Sequence, residues 1–410
     1  MFKKEYLDNK IPVLLERIKG VRSVCLGIWV KVGSRYETKQ KNGISHFLEH
    51  MLFKGTKNRS QKEIAVEIDS LGGDLNAYTS KETTTFYIKL LDDYLEKGID
   101  LLMDIFLHSR LPEDEIEKEK GIVIEELKMV EDMPDDYIHD LFSEYVWNRE
   151  GIGLGILGTK KTVRSFTKKD LEEHIKKHYT INNIVISCAG NIEHEEVLRG
   201  LNSSIGTISN NSQPHTYSKP KFHHGTKVVP KDCSEVHLCI GTEGIDQGSP
   251  ERYAMLLMNT VIGAGVSSRL FQEIREQRGL AYSVYSFTSS YHDCGLFGVY
   301  VGTGRKKYRQ VIDIIKEELV TFKDTVSEDE LTRAKKQLKG NLVLALESTS
   351  GRMNNLARQE IYYGKYISPS EIMKAIDGVR FSEVRELSDR LFTDGEFALT
   401  VLGPVKSASI

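Results

Sequence analysis

The chain repeats itself, and that limits its fold more than any other feature. An alternating strand-like run from Val24 to Val32, a polar turn and the apolar-periodic helix Ile44 to Phe53 have counterparts in the second half. They are the run Val236 to Gly241, the turn Asp246-Gln247-Gly248-Ser249-Pro250 and the helix Tyr253 to Ile262. Asn76-Ala77-Tyr78-Thr79-Ser80 returns loosely as Leu280-Ala281-Tyr282-Ser283-Val284, and Glu113-Asp114-Glu115-Ile116 as Glu328-Asp329-Glu330-Leu331. Self-similarity at an offset of about 210 residues, drifting by a few residues between copies, marks an old duplication with small loop insertions. Each copy mixes helices with strands that pair locally through turns. The expected class is α+β: two duplicated domains, each a mostly antiparallel sheet with helices packed on one face. From Ser203 to Pro220 the chain is polar, rich in breakers and without a period, as linkers are. The expected division is a first domain over 1–207, a linker over 208–220 and a second domain over 221–410.

Composition then removes whole classes of function. A chain of 410 residues that is 40% hydrophobic and 28% charged can bury a sizeable core and stay in solution. Lys and Arg total 56 against 59 Asp and Glu, a net charge of −3, which lacks the basic footprint of a nucleic-acid or anionic-membrane binder. The longest apolar stretches, such as Val24 to Val30, fall far short of the ~20 residues that cross a bilayer. Met1 to Asn9 pass straight into globular sequence, with no apolar leader. Cys25, Cys188, Cys233, Cys239 and Cys294 lack C-x-x-C spacing and read as reduced thiols, so the cytoplasm is the expected compartment.

The chemistry concentrates in His46-Phe47-Leu48-Glu49-His50. On a helix the two histidines lie about 40° apart and Glu49 about 60° to the other side of His46, so one stripe presents all three. Imidazoles at i and i+4 can chelate one Zn²⁺, and a carboxylate between them can take a proton from water made acidic by the metal. A second pair, His174 and His178, has lysines between its members and no carboxylate, and reads as structural. The stretch Gly263-Ala264-Gly265 follows a helix and lacks a G-K-[ST] ending, which argues against a nucleotide loop.

The order H-x-x-E-H is the inverted zinc-peptidase motif. Together with Lys118 to Leu127, it resembles the zinc peptidases of the pitrilysin/insulinase class, in the branch containing the mitochondrial processing peptidase. The likeness covers nearly the whole chain, as a bacterial-type two-domain homologue. It implies Glu126 as third metal ligand, with adjacent Glu125 as the alternative, and Glu119, two turns back on the same face, as a charge-tuning carboxylate. It implies that Asn76, Ala77 and Tyr78 form an exposed strand edge where substrate backbone pairs. It assigns Arg275 and Tyr282 to the substrate carbonyl or its tetrahedral intermediate. By the internal offset, the second copy carries Met258, Val261 and Ile262 where the first has His46, Glu49 and His50, and Asn341 where it has Glu126. That copy is expected to be a scaffold or substrate clamp.

The function so implied is a zinc-dependent endopeptidase for peptides or unfolded, extended segments, with one Zn²⁺ per chain and Glu49 as general base. The alternative is a non-catalytic structural or chaperone-like subunit of a processing-peptidase-like assembly, which loss of the ligand residues would mark. Relatives enclose substrate in a chamber of four such domains, so this two-domain chain is expected to act as a homodimer.

Overall fold

A computed structural model describes residues 1–205, 208, 219–392 and 395–408. Its strands are β1 (Phe2–Tyr6), β2 (Pro12–Arg17), β3 (Ser23–Val30), β4 (Asp74–Thr79), β5 (Thr84–Leu91), β6 (Ile184–Gly190), β7 (Gly225–Pro230), β8 (Val236–Glu243), β9 (Ala281–Ser290), β10 (Gly295–Thr303) and β11 (Ala398–Gly403). The first-half helices are α1 (Ile44–Leu52), α2 (Gln61–Ser70), α3 (Leu95–His108), α4 (Glu113–Asp132), α5 (Pro134–Val146), α6 (Lys160–Ser165), α7 (Lys168–His178) and α8 (His194–Ser204). Those of the second half are α9 (Arg252–Ile262), α10 (Tyr308–Thr325), α11 (Glu328–Ala345), α12 (Thr349–Tyr363), α13 (Pro369–Gly378) and α14 (Phe381–Phe392).

Two compact units result. One comprises Met1–Lys128, Leu154–Tyr217 and Leu344–Tyr366; the other Met129–Gly153, Ser218–Val343 and Ile367–Ile410. Each half of the chain therefore lends a segment to the unit built mainly by the other. The linker read over 208–220 lies largely outside the described residues.

The first unit holds a six-stranded sheet in the order β1-β2-β6-β3-β5-β4, antiparallel except for the pair β2–β6. The second holds β7-β11-β8-β10-β9, antiparallel except for β7–β11. Strand for strand, the second sheet repeats the last five of the first, its parallel pair included. The duplication read from sequence is a duplication of topology, and the α+β class with mostly antiparallel sheets stands.

One part of the expectation needs correcting, because helices cover both faces of each sheet. In β3, Val24, Leu26, Ile28 and Val30 join the large core with α1 and α3, while Cys25 and Trp29 point the other way. There Met353, Leu356 and Ala357 of α12 pack on Leu14, Cys25, Trp29, Val185 and Ala189. Gly27 makes room for this packing: a Cβ there would lie 2.6 Å from the Trp29 ring and 3.1 Å from Met353 Sδ. In the second unit, Ile138, Leu141, Phe142 and Val146 of α5 cover Cys239, Leu296, Tyr300, Ala398 and Leu402. The physical reason is visible in β3, SVCLGIWV, which is apolar at successive positions and not only at alternate ones. A strand apolar on both faces needs cover on both.

The glycines near 263 serve local packing. A Cβ on Gly263 would lie 2.4 Å from Ser286 N, and Gly265 has φ +141°. Among the described residues, no helix is long and apolar enough to cross a membrane. The prediction from this architecture concerns α12. Met353→Ala empties the centre of its buried face and should cost about 2–5 kcal/mol, read as a lowered urea midpoint at unchanged slope.

Candidate metal centre

Helix α1 is nine residues long and two-faced. Phe47, Leu48 and Met51 are wholly buried and anchor it in the core. That anchoring turns His46, Glu49 and His50 together toward α4, as the 3.6-residue period requires. The two imidazole centroids lie 4.5 Å apart. His46 Nε2 is 3.7 Å from Glu126 Oε1, and His50 Nε2 is 3.8 Å from Glu126 Oε2. Single donor atoms of His46, His50 and Glu126 lie within 4.8 Å of one another, the one such group of three found among the described residues. Glu125, the alternative ligand, faces away and pairs with Lys128 at 2.6 Å.

Behind these groups stands a supporting layer. His50 Nδ1 donates to Glu119 Oε1 at 2.8 Å, and its Nε2 faces Glu126. The other Glu119 oxygen takes the Lys54 ammonium at 2.6 Å. Burial opposes ionisation of Glu119, but its bonds to His50 and Lys54 outweigh burial and hold the carboxyl below its ordinary range. The two imidazoles are driven apart. Burial and the neighbouring His50 charge push His46 down to about 3. Burial would lower His50 too, yet the bond to Glu119 and the charges of Glu126, Glu119 and Glu49 raise it.

Glu49 is raised mainly by burial, against the hydroxyl of Thr79, which donates to its Oε2 at 2.5 Å. Glu126 is likewise raised by burial, partly offset by His50. Two imidazoles and a carboxylate converging from one side, with Glu126 Oε2 buried and lacking a hydrogen-bond partner, fit a divalent cation held by nitrogen and oxygen. A carboxylate raised toward neutrality beside such a cation can take up and return a proton.

Asn76, Ala77 and Tyr78 lie on β4. Among the described residues, β4 ends its sheet and pairs only with β5. Its Ala77 N–H is held by Asn76 Oδ1 at 2.8 Å instead of by a neighbouring strand. Leu75, Ala77 and Thr79 form the half-buried face, from which Thr79 reaches Glu49; Tyr78 lies on the exposed face, its hydroxyl 3.0 Å from Asn354 Oδ1. Arg275 and Tyr282 belong to the other unit and meet there. Arg275 projects from a π-helical turn, Phe271–Gln277, with its guanidinium carbon 4.8 Å from the ring centroids of both Phe271 and Tyr282. Tyr282 is 77% exposed. His174 and His178 are buried on α7 behind α1, His174 Nε2 lying 3.3 Å from the Ser45 hydroxyl. The counterparts of the metal set in the second copy, Met258, Val261 and Ile262, are buried core.

Sequence reasoning missed the contacts of Thr79 and Lys54 with the site. Thr79 had a signal, since it shares the alternating face of Ala77 on β4. Lys54 lies one turn beyond His50, but nothing local says that its ammonium reaches a carboxylate on α4.

Over residues 12–160 the chain matches the family described as Insulinase (Peptidase family M16), and over 165–338 the Peptidase M16 inactive domain. It is 41% identical over 405 residues to the uncharacterized zinc protease YmxG of Bacillus subtilis, covering 98% of each chain. It is 37% identical over 409 residues to an uncharacterized zinc protease of Streptomyces coelicolor, covering 98% of this chain and 89% of the other. Among solved structures, a protease from Helicobacter pylori superposes with TM-score 0.91 at 23% identity, covering 98% of this chain and 99% of that one. A chain of Complex III2 from Candida albicans superposes with TM-score 0.85 at 20% identity, covering 98% and 96%. At such identities the superpositions speak for the fold alone.

The geometry generates one measurable linkage. Because His50 holds its proton more tightly than an ordinary histidine and must shed it to bind a metal, uptake should release protons, the more so as pH is lowered. Calorimetric zinc titrations in buffers of differing ionisation enthalpy should differ accordingly, and affinity should fall as pH is lowered. His50→Ala should lose the site, whereas His174→Ala should keep it.

Proposed function

We propose, from the premise that this chain belongs to the insulinase family of peptidases (M16), that it is a zinc endopeptidase cleaving peptides or unfolded, extended segments. The observation that carries the reading is the convergence of His46, His50 and Glu126, with Glu49 at their side, His46 and Glu49 being buried and His50 and Glu126 half-buried. His46, His50 and Glu126 would hold one zinc per chain, with Glu119 fixing the tautomer of His50. When bound, zinc supplies a Lewis acid that acidifies water and polarises a carbonyl. Glu49 is the general base. Thr79 engages one of its oxygens, leaving the other to accept a proton from water and return it to the leaving amine.

Substrate binds as an added strand along β4. Asn76 Oδ1 yields the Ala77 N–H to the incoming backbone, and Tyr78 flanks the peptide. Arg275 and Tyr282 stabilise the oxyanion of the tetrahedral intermediate. The functional division follows the halves of the chain: 1–207 carries the whole metal set, and 221–410 the Arg–Tyr pair, with 208–220 between them. A homodimer, the commonest closed assembly, would bring two such sets together, each Arg275–Tyr282 pair serving the partner's metal centre. The five free thiols favour a reducing compartment, the cytoplasm. Retention of every metal-binding and base residue weighs against a purely structural subunit.

Glu49→Gln should keep zinc and fold while peptide cleavage falls by about 100- to 10,000-fold; near-normal turnover by the zinc-loaded variant would remove Glu49 from its role. Mixing Glu49→Gln with a variant carrying Arg275→Ala and Tyr282→Phe, under conditions of subunit exchange, should restore activity. A monomer in light scattering, or no recovery after proven exchange, excludes the paired arrangement.

A further inference from the structure

We infer that Glu37 is a positioning residue, a remote cap that orients the first turn of the metal-binding helix and with it His46. The inference rests on the metal-centre reading above. The N-cap of helix α1 is Gly43, which has φ +94° and no side chain with which to cap the orphan amides of the first turn. The position cannot take the usual capping residues. Any Cβ on Gly43 would lie 2.6 Å from the Leu157 carbonyl oxygen, and one on Gly158, across the same contact, 2.2 Å from Asn42 O.

Glu37 does the capping from six residues before Gly43. Its Oε2 accepts from the Gly43 N–H at 2.7 Å and from Asn42 Nδ2 at 2.9 Å, and its Oε1 accepts from the Ser45 N–H at 2.8 Å. Asn42 Nδ2 also donates to Gly155 O at 2.7 Å, which ties the turn to the chain passing over it. A carboxylate here matches the positive end of the helix dipole.

The two histidines depend on different supports. His50, in the second turn, is oriented by its own bond to Glu119. His46, in the first turn, has no partner on Nδ1. Its ring direction is therefore set by the backbone of that turn, and Glu37 fixes that backbone. Glu37 does for His46, through the main chain, what Glu119 does for His50 directly.

The test compares wild type, Glu37→Ala and Glu37→Gln by chelator-competition zinc affinity and by the d–d absorption of the Co²⁺-substituted protein, which reports ligand geometry apart from turnover. Far-UV circular dichroism and Tm establish that each variant is folded. Zinc should bind about 10- to 100-fold more weakly to Glu37→Ala, with altered cobalt bands. Glu37→Gln keeps the length and one acceptor, and should fall between. If Glu37→Ala does not fold, Glu37→Gln alone decides. Folded variants with lowered Tm but wild-type zinc affinity and cobalt spectrum would overturn the inference, leaving Glu37 a cap for stability only. A wild-type chain that takes up neither metal overturns the metal-centre reading itself, and this inference with it.

Discussion

Burial of Phe47, Leu48 and Met51 against the first sheet is the interaction on which the rest depends. A helix of nine residues is too short to hold itself together in water, so its stability comes from that apolar face. Once the face is fixed, helical geometry leaves no freedom for His46, Glu49 and His50, which must emerge on the opposite side. The neighbours then complete what the helix begins. α4 brings Glu119 and Glu126, β4 brings Thr79, and Glu37 caps the first turn from the segment before the helix.

The centre is also an electrostatic compromise. Three carboxylates, Glu49, Glu119 and Glu126, converge on two imidazoles in a largely desolvated space. Lys54 compensates Glu119, and Glu49 and Glu126 are both driven toward protonation. A buried set with this surplus of negative charge is costly unless protons or a cation neutralise it. A cation placed among these groups would neutralise that surplus.

Much of this was legible in the sequence because it is local or periodic. The i, i+4 histidines, the alternation of β4 and the duplicated order of elements all follow from periods of 3.6, 2 and about 210 residues. Glu126 was reachable only through resemblance, since no local rule separates it from Glu125; the structure separates them by the face of α4 each occupies. Lys54, Thr79 and Glu37 act through contacts set by tertiary folding, between residues on different elements, and periodicity cannot see those. The helices on the second face of each sheet escaped for the same reason. The double-sided apolarity of β3 was visible, but not that Met353 and Leu356, more than three hundred residues away, would cover it.

The loan of α12 to the first unit has a consequence for the order of events during synthesis. A ribosome delivers the first sheet, all of α1 and the complete metal set long before it reaches residue 349. Until Met353, Leu356 and Ala357 emerge, Trp29, Leu14 and Val185 lack the helix that covers them. At roughly 5–20 residues per second, that apolar surface stays open for a matter of seconds. During that interval the nascent first half has its ligands and its sheet but not its full set of contacts. Completion of the first unit is thereby tied to near-completion of the whole polypeptide, and a prematurely terminated chain would carry an exposed apolar sheet face, a natural target for chaperones and quality-control proteases.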